Sequence, residues 1–169
     1  MANGSAFDEK NISANTTKEI EMKISQDLGS NLLHLDHIGV ATDDVEKSKL
    51  FFQLMGMNFS HEEIVASENV KVSFAEIDQN SHLELLQPLS DEGAIAQFLK
   101  KKGGGIHHLC FKVKSLKQAE IDLKSKGINF IYPESKIGAN NKIVNFIHPK
   151  FSGGVLIELT ESINQSRRD

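Results

Sequence analysis

The sequence predicts an α+β fold in which one βαβββ module is written twice. Three observations carry that reading. A strand-like run containing a histidine opens each half: Asp36-His37-Ile38-Gly39-Val40 and Ile106-His107-His108-Leu109-Cys110-Phe111. From His37 to Gly56 is 19 positions, and from His108 to Gly127 is again 19. Each glycine leads a similar run, Gly56-Met57-Asn58-Phe59 and Gly127-Ile128-Asn129-Phe130. Each half then closes on an apolar strand with one embedded carboxylate. These are Leu83-Glu84-Leu85-Leu86, 47 positions after His37, and Leu156-Ile157-Glu158-Leu159, 50 positions after His108.

The elements follow in order. Residues 1–31 are polar and read as a tail. Thr16 and Glu19 have capping-box spacing, and Ile20, Ile24 and Leu28 form a stripe before Gly29, so a short helix is expected there. The segment lacks the apolar core of a secretory signal and the arginines of a transit peptide. Leu33–Ala41 reads as a strand with Leu35, His37, Gly39 and Ala41 on one face. Thr42-Asp43-Asp44 starts a helix that runs to Gly56. Strands are expected at Asn58–Val65, Val70–Asp78 and Leu83–Gln87, separated by turn residues and ended by Pro88. Ser90–Lys102 reads as a helix with Ile95, Phe98 and Leu99 on its apolar face. Gly103-Gly104-Gly105 then runs into a strand, not a helix, so it is no phosphate loop. The second module repeats the order: strand Ile106–Val113, a helix from Lys114 or Ser115 to Lys126, and strands at Asn129–Tyr132, Ile143–His148 and Gly154–Thr160. The predicted organisation is a single domain over 32–162. Its modules are 32–88 and 105–162, joined by a helical linker at 89–104, with a polar tail at 163–169.

Bulk properties narrow the function. Hydrophobic residues make up 39% and charged residues 25%, which is ordinary for a globular domain of 169 residues. No apolar run reaches membrane-spanning length. A net charge of −4 argues against nucleic acid as partner. The single cysteine, Cys110, excludes an internal disulfide and reads as a buried small hydrophobe.

The chemistry lies in the matched His and Glu pairs. A carboxylate between leucines is costly to bury unless it is paired or binds a cation. Glu84 and Glu158 sit in such runs at equivalent places, each matched to a histidine. Of the tandem pair, His108 reproduces the 19-residue offset and His107 gives 20, so alternation assigns His108 to the inner face and His107 to the other. His34, His61 and His82 lack a counterpart and read as surface or structural. His148, at a strand end before Pro149, is expected near a pocket. Two imidazoles and two carboxylates suit a divalent first-row ion in octahedral geometry, with two positions left for a ligand that chelates through two oxygens.

On these residues the chain resembles the vicinal oxygen chelate (glyoxalase/bleomycin-resistance) superfamily, and within it the methylmalonyl-CoA epimerase branch. The resembling stretches are Asp36–Val40, Leu83–Pro88, Gly105–Leu109, Lys136–Ala139, and Phe146–Lys150 leading to Gly153–Leu159. The resemblance implies one curved sheet around a metal site, with His37, Glu84, His108 and Glu158 as ligands. It implies metal-assisted interconversion of (R)- and (S)-methylmalonyl-CoA in a homodimer, in the cytoplasm or mitochondrial matrix. Cobalt is the ion implied, with manganese, nickel or zinc as substitutes. Glu158 is implied as a base as well as a ligand, and Lys150 and Ser152 as substrate contacts. Some relatives carry a second acid/base Glu where this chain has Val72, which leaves Glu76 or a water for that role. The rival readings are a glyoxalase-type lyase or isomerase and a metal-free small-molecule-binding protein of the same fold.

Overall fold

The computed structural model describes residues 31–163, so the expected 16–28 helix and nearly all of both tails lie outside the described residues. Eleven elements follow in chain order: β1 (Leu32–Ala41), α1 (Val45–Leu54), β2 (Phe59–Val65), β3 (Val70–Glu76), β4 (His82–Pro88), α2 (Ala94–Lys102), β5 (Gly105–Val113), α3 (Leu116–Ser125), β6 (Lys136–Ile137), β7 (Lys142–Ile147) and β8 (Leu156–Ser162). The eight strands form one mixed sheet in the order β2-β3-β4-β1-β5-β8-β7-β6, curled into a half-barrel. β1 and β5 meet antiparallel at its centre, and each has a parallel neighbour from its own module, β4 or β8. The second half of the order is the first half reversed. That is the pattern of a pseudo-twofold through the β1–β5 contact.

Local signals set the helix starts. The Asp44 carboxylate accepts the Lys47 N–H at 3.0 Å, and the Ser115 hydroxyl accepts the Gln118 N–H at 3.2 Å, each satisfying an orphan donor of the first turn. α2 begins at Ala94, later than Ser90, because the preceding residues are held in a turn. The Asn69 amide donates to Ser90 Oγ at 2.6 Å and to the Glu92 carbonyl at 2.9 Å.

The two faces of β4 explain its sequence. Leu83 and Leu85 pack with Val45 of α1, while Leu86 packs with Ile95 of α2 and with Val70 and Val72 of β3. Glu84 shares the alternation of Leu86, on the face opposite α1. The leucines that flank Glu84 in sequence therefore face away from it. They form a core for α1 and leave the carboxylate facing inward.

The second module departs from expectation at one place. Asn129–Tyr132 is not a strand; only Phe130 bridges to Ile147, and the short strand β6 forms later at Lys136–Ile137. Asn145 is the physical reason. Its side chain is fully buried and takes over the ladder bonds. Its carbonyl oxygen accepts from Tyr132 N at 3.3 Å and Phe146 N at 2.8 Å, and its amide donates to the Tyr132 carbonyl at 3.2 Å and to Glu120 at 2.6 Å. Pro133 then removes the next backbone donor. The turn Gly138–Asn141 accordingly separates β6 from β7. It places Asn140 and Asn141 at φ of 52° and 53°, which asparagine tolerates better than most residues.

Asn145→Ala leaves the Tyr132 backbone groups and Glu120 without that partner. A loss of about 2–4 kcal/mol is expected from the four hydrogen bonds left unmade, read by urea denaturation. Unchanged stability would remove Asn145 as the anchor of this segment.

Candidate metal centre

β1 and β5 pair through bulges, and these shape the centre. Leu35 faces Phe111 and His37 faces Cys110, so Asp36 has no partner. Gly39 faces His108 and Val40 faces Ile106, so His107 has none. Leu33 is skipped as well, but Asp36 and His107 each precede one of the predicted ligand histidines. A bulge breaks the alternation of a strand and re-aims the extra side chain. Asp36 Oδ1 consequently lies 2.9 Å from His37 Nδ1, and His107 Nδ1 lies 2.9 Å from His108 Nδ1. This corrects the strict-alternation assignment of His107 to the other face: His107 lines the same cavity as His108. Asp36 was missed for the same reason. Gly39, opposite His108, is also part of the site. A Cβ there would stand 2.3 Å from His108 Cε1, so only glycine leaves room for the ring.

The four residues singled out from the repeat are all buried and converge. His37 Nε2 is 3.0 Å from His108 Nε2, His108 Nε2 is 3.1 Å from Glu158 Oε2, and His37 Nε2 is 3.5 Å from the same oxygen. Adjacent donors on an octahedral ion with bonds near 2.1 Å stand about 3 Å apart, so three donors already have the spacing of one coordination face. Glu84 completes a second trio: His37, Glu84 and His108 each offer an atom within 4.8 Å of the others. Glu84 Oε1 accepts a hydrogen bond from His82 Nε2 at 3.0 Å and lies 3.6 Å from His37 Nδ1. His82, read from sequence as surface or structural, is thus the support of Glu84. The His/Glu cluster is compatible with a divalent metal.

Two other donor sets occur among the described residues. Cys110 stands beside His37 and Glu158, but burial, reinforced by the Glu158 charge, pushes its thiol far above the ordinary range. With no ion bound it is a protonated neighbour. Asp36 groups with His37 and His82, yet it meets the Nδ1 end of His37, away from His108 and Glu158. Burial alone would raise Asp36; hydrogen bonds to His37 and Lys142 outweigh it and hold the carboxyl well below its usual value. Burial likewise works against the charge on Glu158, but His108 and His37 bring it down to about 2. For His37 burial opposes protonation, and the Glu84 charge with the Asp36 hydrogen bond raises it well above the usual histidine value. Burial and then the His108 charge lower His107 to about 4, which keeps it neutral.

A cavity of about 170 Å³ opens beside the cluster, lined by Glu84, His108 and Glu158 and walled by apolar residues such as Val72, Leu86 and Val144. Val72, on its wall, offers no acid/base group. Glu76 does not replace it, because it is exposed at the end of β3 and lines other cavities. Glu68 is the remaining carboxylate among the described lining residues, and it accepts a hydrogen bond from the Tyr132 hydroxyl at 3.2 Å. Lys150 and Ser152 fall in the turn before β8. The Lys150 ammonium lies 4.7 Å from the Phe151 ring centroid, and Ser152 Oγ donates to the Pro149 carbonyl at 3.3 Å; neither residue lines the cavity. His148 caps that turn, accepting from Lys150 N at 3.2 Å.

The profile of the glyoxalase/bleomycin resistance protein/dioxygenase superfamily matches residues 36–146. The chain belongs to that superfamily. Among its members, the protein of Bos taurus named methylmalonyl-CoA epimerase, mitochondrial, is 41% identical over 134 residues, covering 78% of this chain and 76% of its own. The crystal structure of methylmalonyl-CoA epimerase from Mycobacterium tuberculosis superposes with a TM-score of 0.76 at 33% identity, over 82% of this chain and 93% of that one. A variant of the Streptomyces coelicolor methylmalonyl-CoA epimerase, in complex with 2-nitronate-propionyl-CoA, gives a TM-score of 0.76 at 30% identity, over 79% and 99%. No helix among the described residues is long and apolar enough to cross a membrane.

The close approach of Gly39 to His108 is testable. Gly39→Ala should displace the imidazole and weaken divalent-ion binding by roughly tenfold or more, as expected for disturbed support of a ligand. Competition against a chromophoric chelator reads it; parent-like affinity in the folded variant would contradict the packing argument.

Proposed function

We propose that this chain is a metal-assisted epimerase that interconverts (R)- and (S)-methylmalonyl-CoA. The observation that supports this best is the gathering of His37, His108 and Glu158 donors at 3.0–3.5 Å beside a largely apolar cavity that His108 and Glu158 line, in a chain whose relatives are named for that reaction. Around it stand the readings that go with it: cobalt as the ion, a homodimer as the assembly, the cytoplasm or mitochondrial matrix as the compartment, and 32–162 as the working domain.

His37, Glu84, His108 and Glu158 would hold the ion. Bound there, a divalent metal supplies Lewis-acid charge to the two oxygens that flank the acidic carbon of a malonyl-type thioester. The rest falls to the chain's own groups. Glu158, on the cavity wall, accepts the proton leaving the α-carbon. The apolar walls at Val72, Leu86 and Val144 keep bulk water from the carbanionic centre. Inversion needs a proton from the other face, and Val72 has none to give. Glu68, hydrogen-bonded by Tyr132, is assigned that transfer. Lys150 and Ser152, outside the cavity, are assigned to the distal part of the thioester.

The test is α-hydrogen exchange in deuterated water, with metal content measured on the same samples. Glu84→Gln keeps an oxygen donor and should retain metal and most turnover. Glu158→Gln keeps an oxygen but cannot take a proton, and should lose roughly two to four decades of turnover while still holding metal. Glu68→Gln should let one epimer exchange its α-hydrogen without inverting. If deuterium enters no faster than in buffer with metal restored, the reaction assignment fails. If Glu84→Gln is the inactive variant and Glu158→Gln nearly normal, the base lies in the first module.

A further inference from the structure

His37 has two carboxylates competing for one ring N–H. Asp36 Oδ1 stands 2.9 Å from Nδ1, and Glu84 Oε1 stands 3.6 Å from it. Only one of them can hold that proton well. If Asp36 holds it, the Nε2 lone pair is fixed toward His108 and Glu158, and Glu84 stays free to turn toward an ion. If Glu84 holds it, the cluster loses a carboxylate donor. Asp36 is almost fully buried, so its charge and direction depend on a partner. That partner comes from the other module: Lys142, the first residue of β7, reaches across to Asp36 with Nζ 2.7 Å from Oδ1 and 3.0 Å from Oδ2.

We propose that Lys142 and Asp36 are positioning residues that select the Nδ1–H tautomer of His37 and keep Glu84 out of that hydrogen bond, so that ion binding in the first module is set by a cation of the second. The bulges support this design. The β1–β5 ladder leaves three residues unpaired, Leu33, Asp36 and His107, and of these Asp36 and His107 meet the Nδ1 of the histidine that follows them. His107, without a comparable charged partner, is the neutral counterpart. Asp36 itself is no ligand on this reading, since it sits at the end of the His37 ring opposite Nε2.

The inference rests on the metal reading above, and its test separates the two. Cobalt affinity is measured by competition on folded parent, Asp36→Asn, Lys142→Met, Lys142→Arg, Glu84→Ala and Asp36→Asn/Glu84→Ala, alongside thermal unfolding of each without metal. Asp36→Asn and Lys142→Met should each weaken cobalt binding by roughly 10–100-fold, the usual cost of losing the support of a ligand histidine. Lys142→Arg should restore most of it. Glu84→Ala, which removes the donor, should cost less when placed on Asp36→Asn than it does alone, because Glu84 is already engaged by His37 there. A merely structural role would lower the unfolding temperature and leave the affinity of folded protein unchanged, and that outcome overturns the proposal. Strict additivity of the Asp36 and Glu84 effects overturns it too. If the parent binds no divalent ion, the metal reading itself fails.

Discussion

The antiparallel contact between β1 and β5 is the constraint on which the centre depends. Among the described residues it is where the strands of the two modules share backbone hydrogen bonds, and it carries one candidate ligand histidine from each. Regular pairing would set His37 and His108 on the shared face and turn their preceding residues away. The bulges at Asp36 and His107 change that. They give each imidazole a neighbour at Nδ1 while Nε2 meets Nε2 at 3.0 Å. Two imidazoles and a carboxylate that close are an expensive arrangement in an apolar interior, and a shared cation is the economical way to satisfy it.

The parallel neighbours complete the constraint. β4 lies beside β1 and β8 beside β5, so Glu84 and Glu158 enter from the two flanks of the same seam. The outward leucines of β4 hold it against α1, which fixes the depth of the strand and hence of its carboxylate. Module packing and site geometry are therefore one problem. Lys142 extends the coupling, because a salt bridge crossing the pseudo-twofold ties β7 to the loop of charge around His37.

Much of this was legible in the sequence because repetition encodes it. The equal His-to-Gly offsets and the carboxylates embedded between leucines pointed to His37, Glu84, His108 and Glu158, and the structure brings all four together. What stayed hidden was irregular or distant. Alternation says nothing of a bulge, so Asp36 was passed over and His107 was sent to the wrong face. The isolated Gly39 in a strand was the available signal for a close approach, and its reason, the His108 ring, is visible only across the ladder. The strand expected at Asn129–Tyr132 has suitable residues, but a buried Asn145 far along the chain takes its hydrogen bonds. Lys142 contacts Asp36 over 106 positions, a pairing no local pattern contains.

The central claim is that each module delivers one histidine and one glutamate to one ion. X-ray absorption at the metal edge of the cobalt-loaded chain tests it most directly. The expected spectrum has two imidazoles in a shell otherwise made of oxygen, falling to one imidazole in either His37→Ala or His108→Ala. A sulfur scatterer from Cys110, or a parent spectrum with a single imidazole that only one of the two substitutions removes, would contradict it.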